Sequence, residues 1–253
     1  MNKPYLSIII PCYNEKENLN GDVLDEVYDF LKSQKFTWEV IISDDGSTDN
    51  SREIIKSQIK EKKGFSLVEN QHGGKPSAIW GGIKKAKGEY TLFADMDQST
   101  PIGDLLKLTP YFDQYEVVIG SRGIERENFS LLRKIGSFVF RSFRKSILLR
   151  DINDTQCGFK AMRAEVARQV FPMLQFFKQK NTVVGWKVTS FDVEMLFIAE
   201  KLGYKIKEVP VTWKDRDISE GKQKGYLKES KEMLMQILRV KLNDLRGLYE
   251  VKK

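Results

Sequence analysis

The sequence predicts an α/β protein, a three-layer α/β/α sandwich built on a mostly parallel sheet, and two observations support this prediction. Residues 6–10 and 38–42 are short apolar runs rich in β-branched side chains, which is typical of strands buried on both faces of a parallel sheet. Between them, Val23, Val27 and Leu31 recur at helical spacing, so the connection should be a crossover helix. Together these segments form a βαβ unit.

The same alternation continues along the chain. Asn50, with Glu53 three residues later, predicts a capping box at the start of the next helix, whose apolar stripe includes Ile55 and Ile59. Further strands are predicted at residues 65–69, 90–94 and 116–120, with a helix around Ile79 and Ile83 between the first two. Alternating strands and helices again indicate a sheet covered by helices.

Composition and length are consistent with one large domain. The chain has 253 residues, of which 41% are hydrophobic and 30% charged, so it should bury a proper core. No linker rich in proline, glycine or serine divides it, and we expect one domain over residues 1–225. Residues 226–253 should form an amphipathic helical extension that could dock on the domain, on lipid or on a partner subunit. Its helical period is marked by Leu234, Leu238, Leu242 and Leu245.

The net charge of +7 favours an anionic partner, whether nucleic acid, a phosphate ligand or acidic lipid. The cations are spread along the chain without a nucleic-acid motif, so no nucleic acid is expected. Two cysteines do not suggest a disulfide framework, and no secretory signal precedes the first strand. No window approaches the roughly 18 to 20 uncharged apolar residues of a membrane span. We therefore expect a cytoplasmic protein that does not cross a bilayer by itself.

Polar loops follow four of the predicted strands, at residues 12–15, 44–47, 72–75 and 95–97. Open α/β sheets bind their ligands at the carboxyl ends of the strands, so these loops should converge. Turn chemistry alone explains any one loop, but it explains the set poorly. In the last loop, Asp95 and Asp97 are two residues apart, so both carboxylates should point the same way. Such hard oxygen ligands predict a Mg²⁺ or Mn²⁺ site for a nucleotide-sugar diphosphate.

The chain resembles the inverting family 2 glycosyltransferases, which have the GT-A (Rossmann-like) fold. The resemblance rests first on residues 8–15, 43–49 and 95–97. Residues 118–122, 154–160, 191–196 and 208–213 are similar to the polyprenyl-phosphate branch, which includes dolichyl-phosphate glucosyl- and mannosyltransferases. The resemblance covers residues 5–225, and residues 154–160 are most similar to the glucosyltransferase-like members.

This resemblance implies a metal-dependent enzyme that moves a hexose, with inversion, from a nucleotide diphosphate sugar to a polyprenyl or dolichyl phosphate at the cytoplasmic membrane face. UDP-glucose is the preferred donor. A GDP-mannose-dependent mannosyltransferase is the alternative, because Tyr13 and Asp44 do not identify the base. A non-lipid acceptor or a non-catalytic partner subunit is less favoured.

The resemblance also implies roles for individual residues. The metal ligands are Asp95 and Asp97, with the third ligand open because Ser99 stands where mannosyltransferase relatives carry a glutamine and Gln98 precedes it. Water could replace that ligand. His72 is not assigned, because the family motif does not require it. The nucleotide-sugar site comprises Pro11, Tyr13, Glu15, Asp44, Lys75, Asp95, Arg216 and Lys222.

For the acceptor phosphate, the resemblance assigns Arg122, with Arg133 as a candidate second contact. Asp154 matches a carboxylate that acts as base or orienting group, and it could simply orient Arg122. It is preferred to Asp192, which the helix dipole alone could favour in a first helical turn. The predicted catalytic residues are thus Asp154, Arg122 and Asp97.

The segment 130–150 mixes bulky apolar residues with arginine and lysine. It predicts amphipathic helices in the membrane interface, as in relatives that place this region around the acceptor. Packing of a soluble helix against the sheet is the alternative. We expect peripheral membrane binding, with a separate membrane-protein partner possible.

Overall fold

A computed structural model describes residues 3–123, 148–149, 151–178, 191–218 and 226–250, with the backbone alone for 226–233. The strands are β1 Leu6–Cys12, β2 Trp38–Asp44, β3 Phe65–Glu69, β4 Tyr90–Phe93, β5 Val117–Ser121, β6 Lys160–Arg163 and β7 Ile206–Pro210. The α-helices are α1 Lys16–Leu19, α2 Val23–Lys32, α3 Ser51–Ile59, α4 Lys75–Lys85, α5 Leu105–Leu108, α6 Ala164–Val170, α7 Phe191–Lys201 and α8 Tyr226–Leu245. Short 3-10 turns lie at Ile102–Asp104, Thr109–Tyr111, Phe171–Met173 and Gln175–Lys178.

The strands form one seven-stranded sheet in the order β3-β2-β1-β4-β6-β5-β7. β1 pairs in parallel with β2 and β4, β2 with β3, and β5 with β7. β6 runs antiparallel to both of its neighbours, β4 and β5. The predicted mostly parallel sheet and its first five strands are confirmed, whereas the sequence analysis did not predict β6 and β7.

Two apolar layers cover the two faces of the sheet, because successive side chains of a strand point to opposite sides. Ile9 lies in the layer that contains helices α4, α6 and α7. Ile8 and Ile10 lie in the other layer, with helices α2 and α5. A strand with aliphatic residues at consecutive positions is therefore buried on both faces, as its sequence predicts.

Helix α8 docks on the domain, but not through the predicted leucines. Ile237 and Val240 are buried in the core beside α7, and Tyr249 follows them after the helix. Leu238 and Leu242 face outward instead. The prediction identified the helix but left open what its leucine stripe contacts, because α8 has two apolar faces and periodicity does not say which one meets the domain.

The predicted capping box at the start of α3 has a definite outcome. Asn50 makes no side-chain capping bond to α3. Asp49 Oδ1 instead accepts from the Ser51 N–H at 2.9 Å, so the predicted capping box is wrong.

The segment 130–150 lies outside the described residues except for Leu148 and Leu149, which are buried. None of the helices in the described ranges is long and apolar enough to cross a bilayer. The boundary at residue 225 stays a prediction.

Candidate active site

The loops after β1, β2 and β3 are tied together at the carboxyl edge of the sheet. Asn14, with φ at 53°, donates its N–H to Ser47 Oγ at 3.0 Å and accepts from the Thr48 N–H at 2.8 Å. The Asp45 carboxylate accepts from two glycine N–H groups of the next loop, at residues 73 and 74. The predicted convergence of the polar loops is therefore present in the fold.

The rings of Tyr13 and His72 stack in this region, with their centroids 4.4 Å apart. Nδ1 of His72 lies 2.9 Å from both the main-chain oxygen and Oδ2 of Asp45. The residue as a whole remains exposed to solvent, although its ring contacts both loops. Together the rings form a flat surface beside the end of β1.

Asp44 is completely buried at the end of β2. Its Oδ2 accepts from the Gly46 N–H at 3.0 Å and from Arg52 Nε at 2.6 Å, and Ser47 donates its N–H to the same carboxylate. In this geometry the carboxylate shapes the loop that follows β2. Its predicted contact with base or ribose stays a prediction.

Two other predicted base-pocket residues are also held within the protein framework. Pro11 lies in β1 opposite Ser43. Glu15 is buried, donates its N–H to Ser51 Oγ at 2.9 Å and accepts from Asn18 Nδ2 at 2.5 Å. These contacts place both residues at the end of β1, in support of the loop that carries Tyr13.

Lys75 and Asp95 form an ion pair between the start of α4 and the end of β4. Lys75 Nζ lies 2.5 Å from Asp95 Oδ1, and both side chains are partly exposed. Burial alone would raise the pKa of Asp95, but the ammonium of Lys75, with smaller contributions from Lys160 and Arg122, holds that pKa below its usual range. Asp95 is therefore an anion fixed among cations, and Lys75 is not a free surface lysine.

Asp97 is held by Ser99, which donates its N–H at 2.9 Å and its hydroxyl at 2.8 Å. Burial, together with the charge of Asp95, raises the pKa of the Asp97 carboxyl against these hydrogen bonds. Gln98, which lies between Asp97 and Ser99, has φ at 50°. Its side-chain oxygen Oε1 is buried and has no hydrogen-bond partner among the described residues. A bound cation would give the buried Gln98 oxygen a partner and would stabilise the charged form of Asp97, so these two adjacent residues fit a cation site.

Arg122 and Asp154 form a second ion pair, at the end of β5. Arg122 Nε donates to Asp154 Oδ2 at 2.7 Å and Nη2 donates to Oδ1 at 2.8 Å, so the pair is bidentate. The Arg122 N–H adds a third bond to Oδ2. Burial opposes ionisation, but the guanidinium outweighs it and holds the pKa of Asp154 far below its usual range. Of the two predicted roles, this geometry favours an orienting group over a base.

Lys160 and Asp192 form a third ion pair, which lies between the other two. In β6, Lys160 stands opposite Phe93 of β4 and Ile119 of β5. Its residue exposure is only 1%, and Nζ donates to the Cys157 carbonyl and to Asp192 Oδ1, the latter at 2.6 Å. The sequence analysis missed this lysine, because no local pattern predicted β6 and the burial of Lys160 depends on its pairing with the distant Asp192.

Gly158 makes room for Asp95 in the same region. A Cβ at this position would lie 1.9 Å from Asp95 Oδ2. A carboxylate and the backbone of the 154–160 segment therefore approach each other closely only because residue 158 lacks a side chain.

The remaining predicted residues are not joined to this cluster by their side chains. Arg216 makes a bidentate pair with Glu26 on α2, with both distances at 2.9 Å, although its N–H donates to Ser99 Oγ at 3.2 Å. Its guanidinium is thus engaged by Glu26 in this conformation. Arg133 and Lys222 lie outside the described residues.

Among the described residues, no group of three or more His, Cys, Asp and Glu side chains could hold a metal ion. Within the described ranges, the protein itself therefore presents Asp95, Asp97 and the amide oxygen of Gln98 at this loop. A divalent ion bound there would need further oxygen ligands from a substrate or water.

Comparison with known proteins identifies the family of this chain. Residues 7–171 match the model of the family described as "Glycosyl transferase family 2". The chain is 33% identical to the dolichyl-phosphate beta-glucosyltransferase of Dictyostelium discoideum, over 98% of this chain and 77% of that one. It is 34% identical to dolichyl-phosphate beta-glucosyltransferase ALG5A of Trichomonas vaginalis, over 91% and 72% of the two chains.

Solved structures show the same fold at lower identity. Glucosyl-3-phosphoglycerate synthase from Mycobacterium tuberculosis, in complex with Mn²⁺, UDP and glucosyl-3-phosphoglycerate, aligns with a TM-score of 0.63 and 17% identity, over 95% of this chain and 79% of that one. Mannosyltransferase PcManGT from Pyrobaculum calidifontis, in complex with GDP-Man and Mn²⁺, aligns with a TM-score of 0.60 and 18% identity, over 100% of this chain and 66% of that one. The fold is thus that of GT-A glycosyltransferases, and the chain belongs to glycosyl transferase family 2.

Proposed function

We propose that this protein transfers glucose from UDP-glucose to a polyprenyl phosphate, with inversion at the anomeric carbon. The curated relatives from Dictyostelium and Trichomonas are dolichyl-phosphate beta-glucosyltransferases, and each match covers most of both chains. The observation that carries the proposal is the set of three ion pairs at one edge of the sheet, where the carboxyl ends of β4 and β5 meet the amino end of β6: Lys75 with Asp95, Lys160 with Asp192, and Arg122 with Asp154.

In the proposed reaction, an oxygen of the acceptor phosphate forms a bond to the anomeric carbon while the bond from that carbon to the UDP oxygen breaks. A phosphate monoester is largely ionised near neutral pH, so the attacking oxygen needs no proton removed. What it needs is a fixed position and compensation of its charge. Arg122 can supply both, because Asp154 holds Nε and Nη2, and Nη1 makes no hydrogen bond to a described residue. The guanidinium also lies over the ring of Trp213, 5.7 Å from its centroid.

The proposal therefore makes Asp154 a positioning residue, in preference to a general base. Its carboxylate accepts three bonds from Arg122 and one from the Gln156 N–H. A carboxylate with so low a pKa is a weak proton acceptor at neutral pH. Orientation of the guanidinium is the role that these contacts support.

We further propose a Mg²⁺ or Mn²⁺ ion held by Asp95 and Asp97, with the diphosphate supplying other ligands. When bound, such an ion neutralises charge that develops on the departing UDP. Two observations support it: the orphaned Gln98 Oε1 beside Asp97, and the Mn²⁺ in the structures of the M. tuberculosis and P. calidifontis proteins of like fold. Lys75 adds a fixed cation beside the same carboxylates.

The protein would work at the cytoplasmic face of a membrane as a peripheral enzyme, because its proposed acceptor is a membrane lipid and no described helix spans a bilayer. The donor sugar is proposed from the names of the relatives, which are glucosyltransferases, and the base from the UDP in the M. tuberculosis protein of like fold. The stacked rings of Tyr13 and His72 offer a flat surface for the base. A GDP-mannose enzyme is the alternative that the assay must separate.

The test is transfer of radiolabelled sugar into an organic-extractable polyprenyl phosphate, with UDP-glucose and GDP-mannose in parallel reactions containing Mn²⁺. We expect label from UDP-glucose only. Asp97→Asn should lower the rate by about 10²- to 10³-fold, the usual loss when one stabiliser of developing charge is removed. Asp29→Asn is the matched control, because it removes an exposed carboxylate paired with Lys32 on α2.

Three outcomes would contradict the proposal. Transfer from GDP-mannose alone would reject the donor. Equal rates for Asp97→Asn and Asp29→Asn would reject the metal site. Absence of lipid-linked sugar from either donor, with UDP binding intact, would reject the acceptor.

A further inference from the structure

Helix α8 presents an apolar strip to solvent on the side opposite its buried face. Six of the eight exposed large hydrophobic side chains in the described part of the chain lie on this helix or in the turn after it. Successive helical residues are about 100° apart, so the strip on the helix covers an arc of about 100°. Its members are Leu234, Met235, Leu238, Leu242 and Leu245, exposed by 39% to 74%.

Cations border this strip. Arg239 and Arg246 follow it on one side of the helix, and Lys178 approaches from the preceding 3-10 turn. None of these three cations forms an ion pair within 4 Å of a described carboxylate, although the buried Glu194 attracts Lys178 and Arg239 at longer range. A groove of about 450 Å³ lies between them and the strip, lined chiefly by Lys178, Met235, Leu238, Arg239, Leu242 and Arg246. The apolar surface and the positive charge are thus contiguous.

We propose that this face of α8 binds the surface of an anionic bilayer. A helix with an apolar face and flanking cations lies in the membrane interface, with its apolar side at the acyl boundary and its cations at the lipid phosphates. A second copy of the chain is a poorer occupant, because it would bring the unpaired Arg239 and Arg246 of both copies together. The inference rests on the proposed function in one respect, that the acceptor is a membrane lipid.

The test is sedimentation of the full chain with vesicles of phosphatidylcholine, either alone or mixed with phosphatidylglycerol. We expect binding to the mixed vesicles only, weakened by salt. Arg239→Gln/Arg246→Gln should weaken it about thirtyfold, since each basic residue near an anionic leaflet contributes on the order of a fivefold gain. Leu238→Ser/Leu242→Ser should weaken it by about tenfold.

Matched controls lie elsewhere on the surface. Lys84→Gln/Lys85→Gln makes the same change in net charge at the end of α4, and Leu106→Ser removes an exposed leucine on α5. Both should bind as the unaltered protein does. Equal losses in the control and α8 variants would overturn the proposal, as would binding that ignores phosphatidylglycerol.

Light scattering of the protein in solution provides a separate check. A dimer that the Leu238→Ser/Leu242→Ser change converts to a monomer, with vesicle binding unchanged, would assign the face to a second copy instead. Vesicle binding needs neither donor nor acceptor, so a failure here is distinct from a failure of the proposed reaction.

Discussion

Replacing Asp154 with asparagine should both destabilise the protein and weaken its use of the acceptor. The side chains of Arg122 and Asp154 are only 15% and 11% exposed, and two bonds of 2.7 and 2.8 Å join them. Breaking such a pair leaves a mostly buried guanidinium without its counter-charge, which costs about 3 kcal/mol in the free energy of unfolding. Loss of the guanidinium's orientation should raise the KM for polyprenyl phosphate by about tenfold to a hundredfold, with a smaller change in kcat.

The pH dependence of stability should report the same ion pair. The folded-state pKa of Asp154 is depressed, so its contribution is present above the unfolded value of about 3.9 and is lost as pH falls toward the folded pKa. The difference between the two proteins in urea-unfolding free energy should therefore be constant from neutral pH down to about pH 5 and should shrink in stronger acid. Asp29→Asn, which breaks an exposed pair, should change stability by less than about 1 kcal/mol.

Kinetics can refute this reasoning. A kcat loss of more than about a hundredfold with an unchanged acceptor KM is the signature of a lost general base. That result, or an unfolding free energy no lower than that of Asp29→Asn, would show that Asp154 does not act by holding Arg122.

Three further predictions concern the same edge of the sheet. Gly158→Ala should reduce transfer at least about tenfold, because its Cβ would lie 1.9 Å from Asp95 Oδ2, whereas Gly103→Ala, whose nearest neighbour is at 3.7 Å, should keep its activity. Lys160→Met should lower the free energy of unfolding by about 3 kcal/mol, and adding Asp192→Asn should cost less than the sum of the single changes, as measured in urea. Chelation with EDTA should abolish transfer, and added Mn²⁺ should restore it; full activity in EDTA would contradict the proposed ion.

The central strands could be predicted because burial on both faces requires consecutive apolar residues. β1 and β2 meet that condition, and their polar continuations mark the site. β6 does not, since its four residues include Lys160 and Arg163 at the ends. Its place in the sheet depends on tertiary pairing with β4 and β5, which no local pattern records.

The site shows the same division. The carboxylates of Asp95 and Asp97 could be predicted as site residues because they directly follow an apolar strand. The burial of Lys160 depends on Asp192, 32 residues further along the chain, and the outward face of α8 depends on which side meets α7. Long-range electrostatics and packing decide such features, so a sequence pattern predicts their elements better than their contacts.

The most direct test of the proposed transfer is the anomeric configuration of the lipid product made from UDP-α-glucose and polyprenyl phosphate, determined by proton NMR after extraction. Inverting transfer predicts a β-glucosyl phosphate whose formation equals the UDP released. An α-linked product, or UDP released with free glucose and no glucolipid, would contradict the proposed reaction.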